Sequence, residues 1–318
     1  MRVVFFGSPE FAVPTLQSLA ASPEFEVALV VTQAAKGTSP VEVVAERLGL
    51  PVYKPPTLRN YASRQPLISA EPDLFVVAAF GLLFRQRTLD IPRFGSINVH
   101  PSLLPKYRGA SPIVAAIASG DRETGVALMV MDASIDTGAV VSQERALVAD
   151  DDTSESLSGR LASIGAEMVM RDIPRWVTGV LVATPQQGSP ASLTRTLTKA
   201  DGWIDWTRSA AEIERQIRAM WPWPRAWTTI DGSPIQVHGA KVVAVEHGMY
   251  EPGAVVSARR TLIVACGDNA LEIQTVEPAG RRTMPASAYL NGLRAPIIRL
   301  GDTAALEPVP PLIVPVEI

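Results

Sequence analysis

The sequence predicts an α/β protein in two parts: a parallel sheet with helices on both faces, then a small β-barrel or sandwich. Three observations carry this. Apolar β-like runs alternate with helix-like segments through the first 180 residues, the pattern of strands buried on both faces. The stretch LVATPQQGSPASLTRTLTK (181–199) is polar and rich in Pro, Gly, Ser and Thr, as an inter-domain connection is. Past one further helix, short β-like runs are separated by turn signals. The expected division is therefore 1–180, a linker over 181–202, and 203–318; 318 residues is long for one core.

Each element has a local reason. RVVFF (2–6) is β-branched and aromatic and ends at Gly7, and VALVVTQ (27–33) is a second strand. Ser39-Pro40-Val41-Glu42 then reads as a capping box with proline at the first helical position, opening a helix that stops near Gly49. LFVVAAF (74–80) and SINVH (96–100) are strands without a charged residue inside the apolar run. ASPIVAAIASG (110–120) is a helix ended by glycine, GVALMVM (125–131) a strand, and residues 153–179 one long helical pattern with acidic residues near its start. AAEIERQIRAM (210–220) is a short helix closed by Trp221-Pro222-Trp223-Pro224, and Trp221, Trp223 and Trp227 are expected to pack the domain junction. Asp231-Gly232 marks a two-residue hairpin.

Composition narrows the class. With 47% apolar residues, 19% charged residues and a net charge of −3, the chain is neither disordered nor a general polyanion coat. One cysteine, Cys266, excludes an internal disulfide framework and a multi-cysteine zinc site. The N-terminus has no signal-peptide pattern and the apolar run 74–84 is short of the ~20 residues a bilayer needs, so a soluble cytoplasmic protein is expected. No G-x-G-x-x-G follows the first strand, and neither a Walker A sequence nor H-E-x-x-H occurs.

The chemistry centres on SINVHPSLLPKYRG (96–109). Asn98 and His100 are two apart and share a face in a strand, at the carboxyl end where ligands bind in such sheets. Both donate hydrogen bonds toward one point, the requirement for holding an oxyanion. Asp136, in the turn sequence Asp-Thr-Gly past the next strand, comes near that end if the two strands are parallel neighbours. A carboxylate beside an imidazole orients it and stabilises its cation. On the residues alone, His100 equally fits a hydrogen-bonded structural ring, and Asp132 or Asp136 a turn cap.

Asn98-Val99-His100-Pro101-Ser102-Leu103-Leu104-Pro105, Arg108-Gly109-Ala110 and Asp136-Thr137-Gly138 together resemble the signature of the folate-dependent formyltransferases. FGSPEFAVPTL (6–16), IDWTRSAAEIERQIRAMWPWPRAW (204–227) and ACGDNALEIQTVEPAGRR (265–282) extend the likeness over nearly the whole chain in order. The resemblance implies a Rossmann-like formyl-transfer domain followed by an oligonucleotide-binding-like barrel. It implies 10-formyltetrahydrofolate as donor and, from the opening and the second half, the amino group of initiator methionyl-tRNA as acceptor. It assigns catalysis to Asn98, His100 and Asp136 and the tetrahydrofolate pocket to Ser102, Leu103, Leu104 and Pro105. No metal and no membrane partner are implied, and a monomer is expected. A formyl-folate hydrolase, a sugar-amine formyltransferase and an inactive folate- or RNA-binding module are the competing readings.

Two departures from the family pattern stand out. The loop TQAAKGTSP (32–40), where the family carries a longer basic segment for the tRNA acceptor stem, is short and holds only Lys36. Phe80-Gly81-Leu82-Leu83-Phe84 stands where the family has a Tyr-Gly loop ending in proline. Residues 201–318 carry 11 Lys plus Arg against 13 Asp plus Glu, so any basic stripe there rests on Arg215, Arg218, Arg225, Arg259-Arg260 and Arg281-Arg282.

Overall fold

The computed structural model describes all residues except 35–36, 188–190, 247, 259, 294–296, 302–308 and 317–318. Lys36 and Arg259 therefore lie outside the described residues. The chain begins β1 (Arg2–Gly7), α1 (Val13–Ala21), β2 (Glu26–Val31), α2 (Pro40–Arg47), β3 (Val52–Tyr53), α3 (Tyr61–Ser69), β4 (Leu74–Ala78) and α4 (Gln86–Leu89). It continues β5 (Ser96–His100), β6 (Arg108–Gly109), α5 (Pro112–Ser119), β7 (Glu123–Val130), β8 (Val140–Leu147), α6 (Ser154–Val177) and β9 (Ala191–Thr194). The remainder is α7 (Ala210–Ala219), β10 (Ala226–Ile230), β11 (Ser233–Val243), β12 (Val255–Ser257), β13 (Leu262–Ala265), β14 (Ala270–Pro278), β15 (Met284–Pro285), α8 (Ala286–Asn291) and β16 (Ile313–Val316).

The first sheet has the order β3-β2-β1-β4-β5-β7-β8. The strands β3 to β5 run parallel, as the alternating sequence predicts. From β5 outward the sheet reverses: β7 is antiparallel to β5, and β8 to β7. The reversal has a local cause. A parallel neighbour needs a crossover that returns the chain to the start of the sheet. Here α5 ends at Gly120 in the left-handed conformation, and β7 starts soon after at Glu123, beyond the His100 end of β5, and first pairs with β5 at Ala127, opposite His100.

Alternation sorts the strand side chains onto two faces. Val3, Phe5, Val76, Ile97, Val99, Val126 and Leu128 form one core with α1 and α6. Gly165 lets α6 approach closely, since a Cβ there would sit 2.6 Å from Val99 Cγ1. On the opposite face Val4, Phe6, Phe75 and Val77 pack under Leu58, Leu67, Phe84 and Leu89. Over β5 and β7 that face is covered by loops, and Asn98 and His100 stand there.

Local capping fixes the helix starts. Ser39 and Glu42 form the expected capping box, and Ser209 with Glu212 caps α7. Beyond 203, β10 to β15 form an antiparallel curled sheet around its own core of Ile204, Trp206, Ile213, Val237, Leu262, Val264 and Leu271. Its first hairpin turns on Asp231 and Gly232, both at positive φ (48° and 73°), as a two-residue hairpin turn requires. The final strand β16 leaves this sheet and pairs with β9, which pairs with β6. Trp221 reaches across the junction, Nε1 donating to Glu155 at 3.1 Å, whereas Trp223 is 55% exposed and Trp227 stacks edge-on against Trp203.

Candidate active site

β5 delivers Asn98 and His100 to the same face, with His100 buried and Asn98 half-buried. Its last peptide is held by a tight turn in which the Ser102 nitrogen donates to the His100 carbonyl at 2.9 Å. The chain then wraps around the ring. His100 Nε2 lies 2.9 Å from the Tyr107 carbonyl, and a carbonyl only accepts, so Nε2 carries the proton. Nδ1 is thereby the nitrogen facing Asp136 Oδ2, 3.6 Å away.

Asp136 is the hub. Oδ2 accepts from the Gly109 nitrogen at 2.7 Å and Oδ1 from Asn98 Nδ2 at 3.4 Å. It reaches this place by a route other than the expected parallel neighbouring strand. Because β7 is antiparallel, it leaves the sheet beside Ser96, where the Met131 nitrogen donates to the Ser96 carbonyl at 2.8 Å. The loop 131–139 must fold back over the face to bring its carboxylate to His100. Asp132 pins it by accepting from Thr137 Oγ1 at 2.9 and 2.8 Å, and Gly138 lies so close to the Val130 carbonyl that a Cβ would be 1.7 Å from that oxygen. Asp132 is thus the turn cap and Asp136, at φ 51°, the residue turned inward.

The three residues border a cavity of about 720 Å³, within the range of small-ligand sites. Its other walls are the loop 79–84, residues 132–136, and 193–196 from β9 and beyond. Ala79 at φ 47° ends β4 two residues short of the expected 74–80 strand, so Phe80 joins residues 81–84 in the wall. Phe6, Phe80 and Phe84 meet edge to face at 5.0 to 6.0 Å beneath it.

Ser102, Leu103, Leu104 and Pro105 are not among the residues lining this cavity. They frame it from behind. Ser102 Oγ donates to the Lys106 carbonyl at 2.5 Å, Leu104 packs on Ala127 and Met129, and Gln143 Nε2 donates to the Leu104 carbonyl at 2.8 Å. Tyr107 is buried against Ala115 and Ala116, and burial pushes its phenol up, where it stays a donor to Asp121 at 2.9 Å.

The linker, read from sequence only as a connection, builds part of the site. Thr184 exchanges backbone hydrogen bonds with Val140, Ser192 Oγ accepts from the Tyr107 nitrogen at 2.9 Å, and Thr194 Oγ1 donates to the Arg108 carbonyl at 2.9 Å. Gln186 touches both Arg108 and the 136–138 turn. The signal was faint: one glutamine pair inside a turn-rich stretch.

Other candidates lack this convergence. A cavity of about 710 Å³ beside Trp203 and α7 is lined by charges already paired with each other, Arg195 with Asp201 and Arg208 with Glu212. Cys266 is buried, and burial pushes its thiol up to about 12, so it is no nucleophile at neutral pH. Of the expected basic stripe, Arg218 is bound to Glu214 and Arg225 to Gln236 and Glu277, while Arg260, Arg281 and Arg282 are exposed.

A cavity at the strand ends, an amide, an imidazole and a carboxylate on one face, and a separate curled β domain define a class of group-transfer enzyme. Residues 1–173 match the formyl transferase family and residues 196–294 the formyl transferase C-terminal domain. The chain belongs to this formyltransferase family. It is 42% identical over 302 residues to the methionyl-tRNA formyltransferase of Roseiflexus castenholzii, covering 92% of this chain and 96% of that one. The methionyl-tRNA formyltransferase of Neisseria meningitidis serogroup C is 43% identical over 303 residues, covering 92% and 97%. The N-formyltransferase from Helicobacter canadensis, solved with folinic acid and dTDP-3-aminofucose, has the same fold at 18% identity, TM-score 0.65, over 86% of this chain and 98% of that one. Among the described residues, no helix is long and apolar enough to cross a membrane.

Proposed function

We propose that the chain transfers a formyl group from 10-formyltetrahydrofolate to the amino group of initiator methionyl-tRNA, giving N-formylmethionyl-tRNA for translation initiation. The observation that carries the site reading is the single carboxylate of Asp136 held between Asn98 and His100 at the cavity wall. The acceptor rests on relatives of that name at 41–43% identity over nearly the full chain.

In this reading the neutral methionyl amine attacks the formyl carbon. The C–N bond to the amine forms as the carbonyl becomes an oxyanion, and the bond to the folate nitrogen then breaks. Asn98 has a second amide hydrogen beyond the one directed at Asp136, and it serves the oxyanion. When His100 is protonated its Nδ1 hydrogen faces Asp136 Oδ2, and the positive ring beside the oxyanion stabilises that charge. A preorganised donor of this kind is worth about 3 kcal/mol of transition-state stabilisation. Asp136 takes the proton shed by the amine and passes it to the leaving nitrogen, directly or through water. The aromatic wall of Phe80 and Phe84 suits a flat folate ring, with Ser102 to Pro105 keeping the strand end behind it rigid.

The test mixes the protein with 10-formyltetrahydrofolate and charged initiator methionyl-tRNA and follows N-formylmethionine and released tetrahydrofolate together. Coupled appearance supports the transferase. Folate release without formylmethionine would instead mean hydrolysis, and neither product would leave a binding module or another amine acceptor.

A further inference from the structure

The side chain of Gln186 has every hydrogen-bonding site occupied. Its Oε1 accepts from Arg108 Nε at 3.0 Å and from Arg108 Nη2 at 2.8 Å. Its Nε2 donates to the Asp136 carbonyl at 2.8 Å and to the Gly138 carbonyl at 2.9 Å. A guanidinium only donates and a carbonyl only accepts, so one amide orientation alone satisfies all four.

These four bonds tie the backbone of the 136–138 turn to the side chain of Arg108, the residue next to the Gly109 amide that holds the Asp136 carboxylate. In that turn Asp136 sits at φ 51°, a left-handed conformation that costs a non-glycine residue free energy unless its surroundings hold it. The Gly109 nitrogen donates to Asp136 Oδ2 at 2.7 Å. Gln186 therefore grips the Asp136 carbonyl on one side of the residue while the Gly109 amide grips its carboxylate on the other. The flanking linker is fastened on the same side, Thr184 and Val140 exchanging bonds at 2.8 and 2.9 Å.

We infer that Gln186 is a positioning residue for the reaction, acting through Asp136: it clamps the peptide of Asp136 so that the carboxylate faces His100 and Asn98. This rests on the proposed role of Asp136 in formyl transfer. Without the clamp the turn can relax its left-handed residue and carry the carboxylate away from the ring. Misplacement by about 1 Å costs roughly a hundredfold in rate when a reacting group is involved.

The experiment is a double-mutant cycle of Gln186→Met, a near-isosteric chain with no such hydrogen bonds, and Asp136→Asn, using the coupled formyl-transfer assay on the full-length protein. The expected result is a ten- to hundredfold loss of kcat for Q186M, with KM for both substrates within about threefold, and little further loss when Q186M is added to D136N. Gln186→Glu keeps the acceptor for Arg108 and loses both donors to the turn; it should lose kcat like Q186M, and it serves in its place if Q186M does not fold. Wild-type protein that transfers no formyl group would sink the functional reading itself. Active wild type with an unimpaired Q186M, or a Q186M loss equally large with and without the Asp136 carboxylate, would overturn the clamp alone.

Discussion

The Gly109 nitrogen donates to Asp136 Oδ2 at 2.7 Å, joining residues 27 apart in sequence. Gly109 has φ 95°, and a Cβ there would lie 2.2 Å from the Thr194 carbonyl oxygen. Both facts select glycine. Gly109→Ala is therefore expected to destabilise by about 1–3 kcal/mol from backbone strain and to lower formyl transfer by tilting the amide off the carboxylate. Urea unfolding and kcat on the same preparation check both; an unchanged pair would contradict the argument.

Asp136→Asn keeps the shape of the side chain but removes the charge facing His100. A loss of kcat of roughly 10²- to 10⁴-fold with a small change in KM is expected, the range for a general acid–base group. His100→Ala should fall in the same range. A donor-binding titration on each variant that remains near wild type would separate lost chemistry from lost binding.

Acid stability should depend on Asp152. Its carboxylate is bound by Arg160 at 2.6 Å, and Arg160 holds it down at about 2. It also accepts from the Ala149 nitrogen and Ser156 Oγ, while its carbonyl accepts from Arg218 of α7. The folded-state value lies below the unfolded one near 4, so its contribution is complete above about pH 4 and is lost as pH falls toward 2. Asp152→Asn should cost about 1–3 kcal/mol at pH 7 and flatten that acid limb, measured by urea unfolding between pH 2.5 and pH 7. An acid limb of unchanged depth would refute the assignment.

Removal of residues 309–318 takes away β16, which pairs with β9, and the Pro310 carbonyl that accepts from Arg195. β9 in turn carries β6 and the Ala110 nitrogen bond to Thr194. Faster amide exchange at Gly109 and Ala110 is expected, with reduced kcat and intact β10 to β14. Exchange confined to the new terminus would show that the ribbon stands without β16.

The sequence by itself determined β1, β2, β4, β5 and β7, the Asp231–Gly232 hairpin and the pair Asn98–His100, because these depend on local quantities. Strand period two puts residues 98 and 100 on one face wherever the strand lies, and Asp-Gly supplies the positive φ values of a two-residue turn. Asp136 is reached from its turn just past the next strand and matched by the family spacing, although the parallel pairing used to bring it near His100 is antiparallel in the fold. That a carboxylate 36 residues beyond His100 arrives beside it was decided by the Gly138 approach to Val130 and the back-folding of 131–139. The linker's part was decided wholly by tertiary structure. Nothing local distinguishes Gln186 or Ser192 from other polar residues in a turn-rich stretch. Their roles follow from hydrogen-bond partners 48 or more residues away, which only chain packing brings within 3 Å.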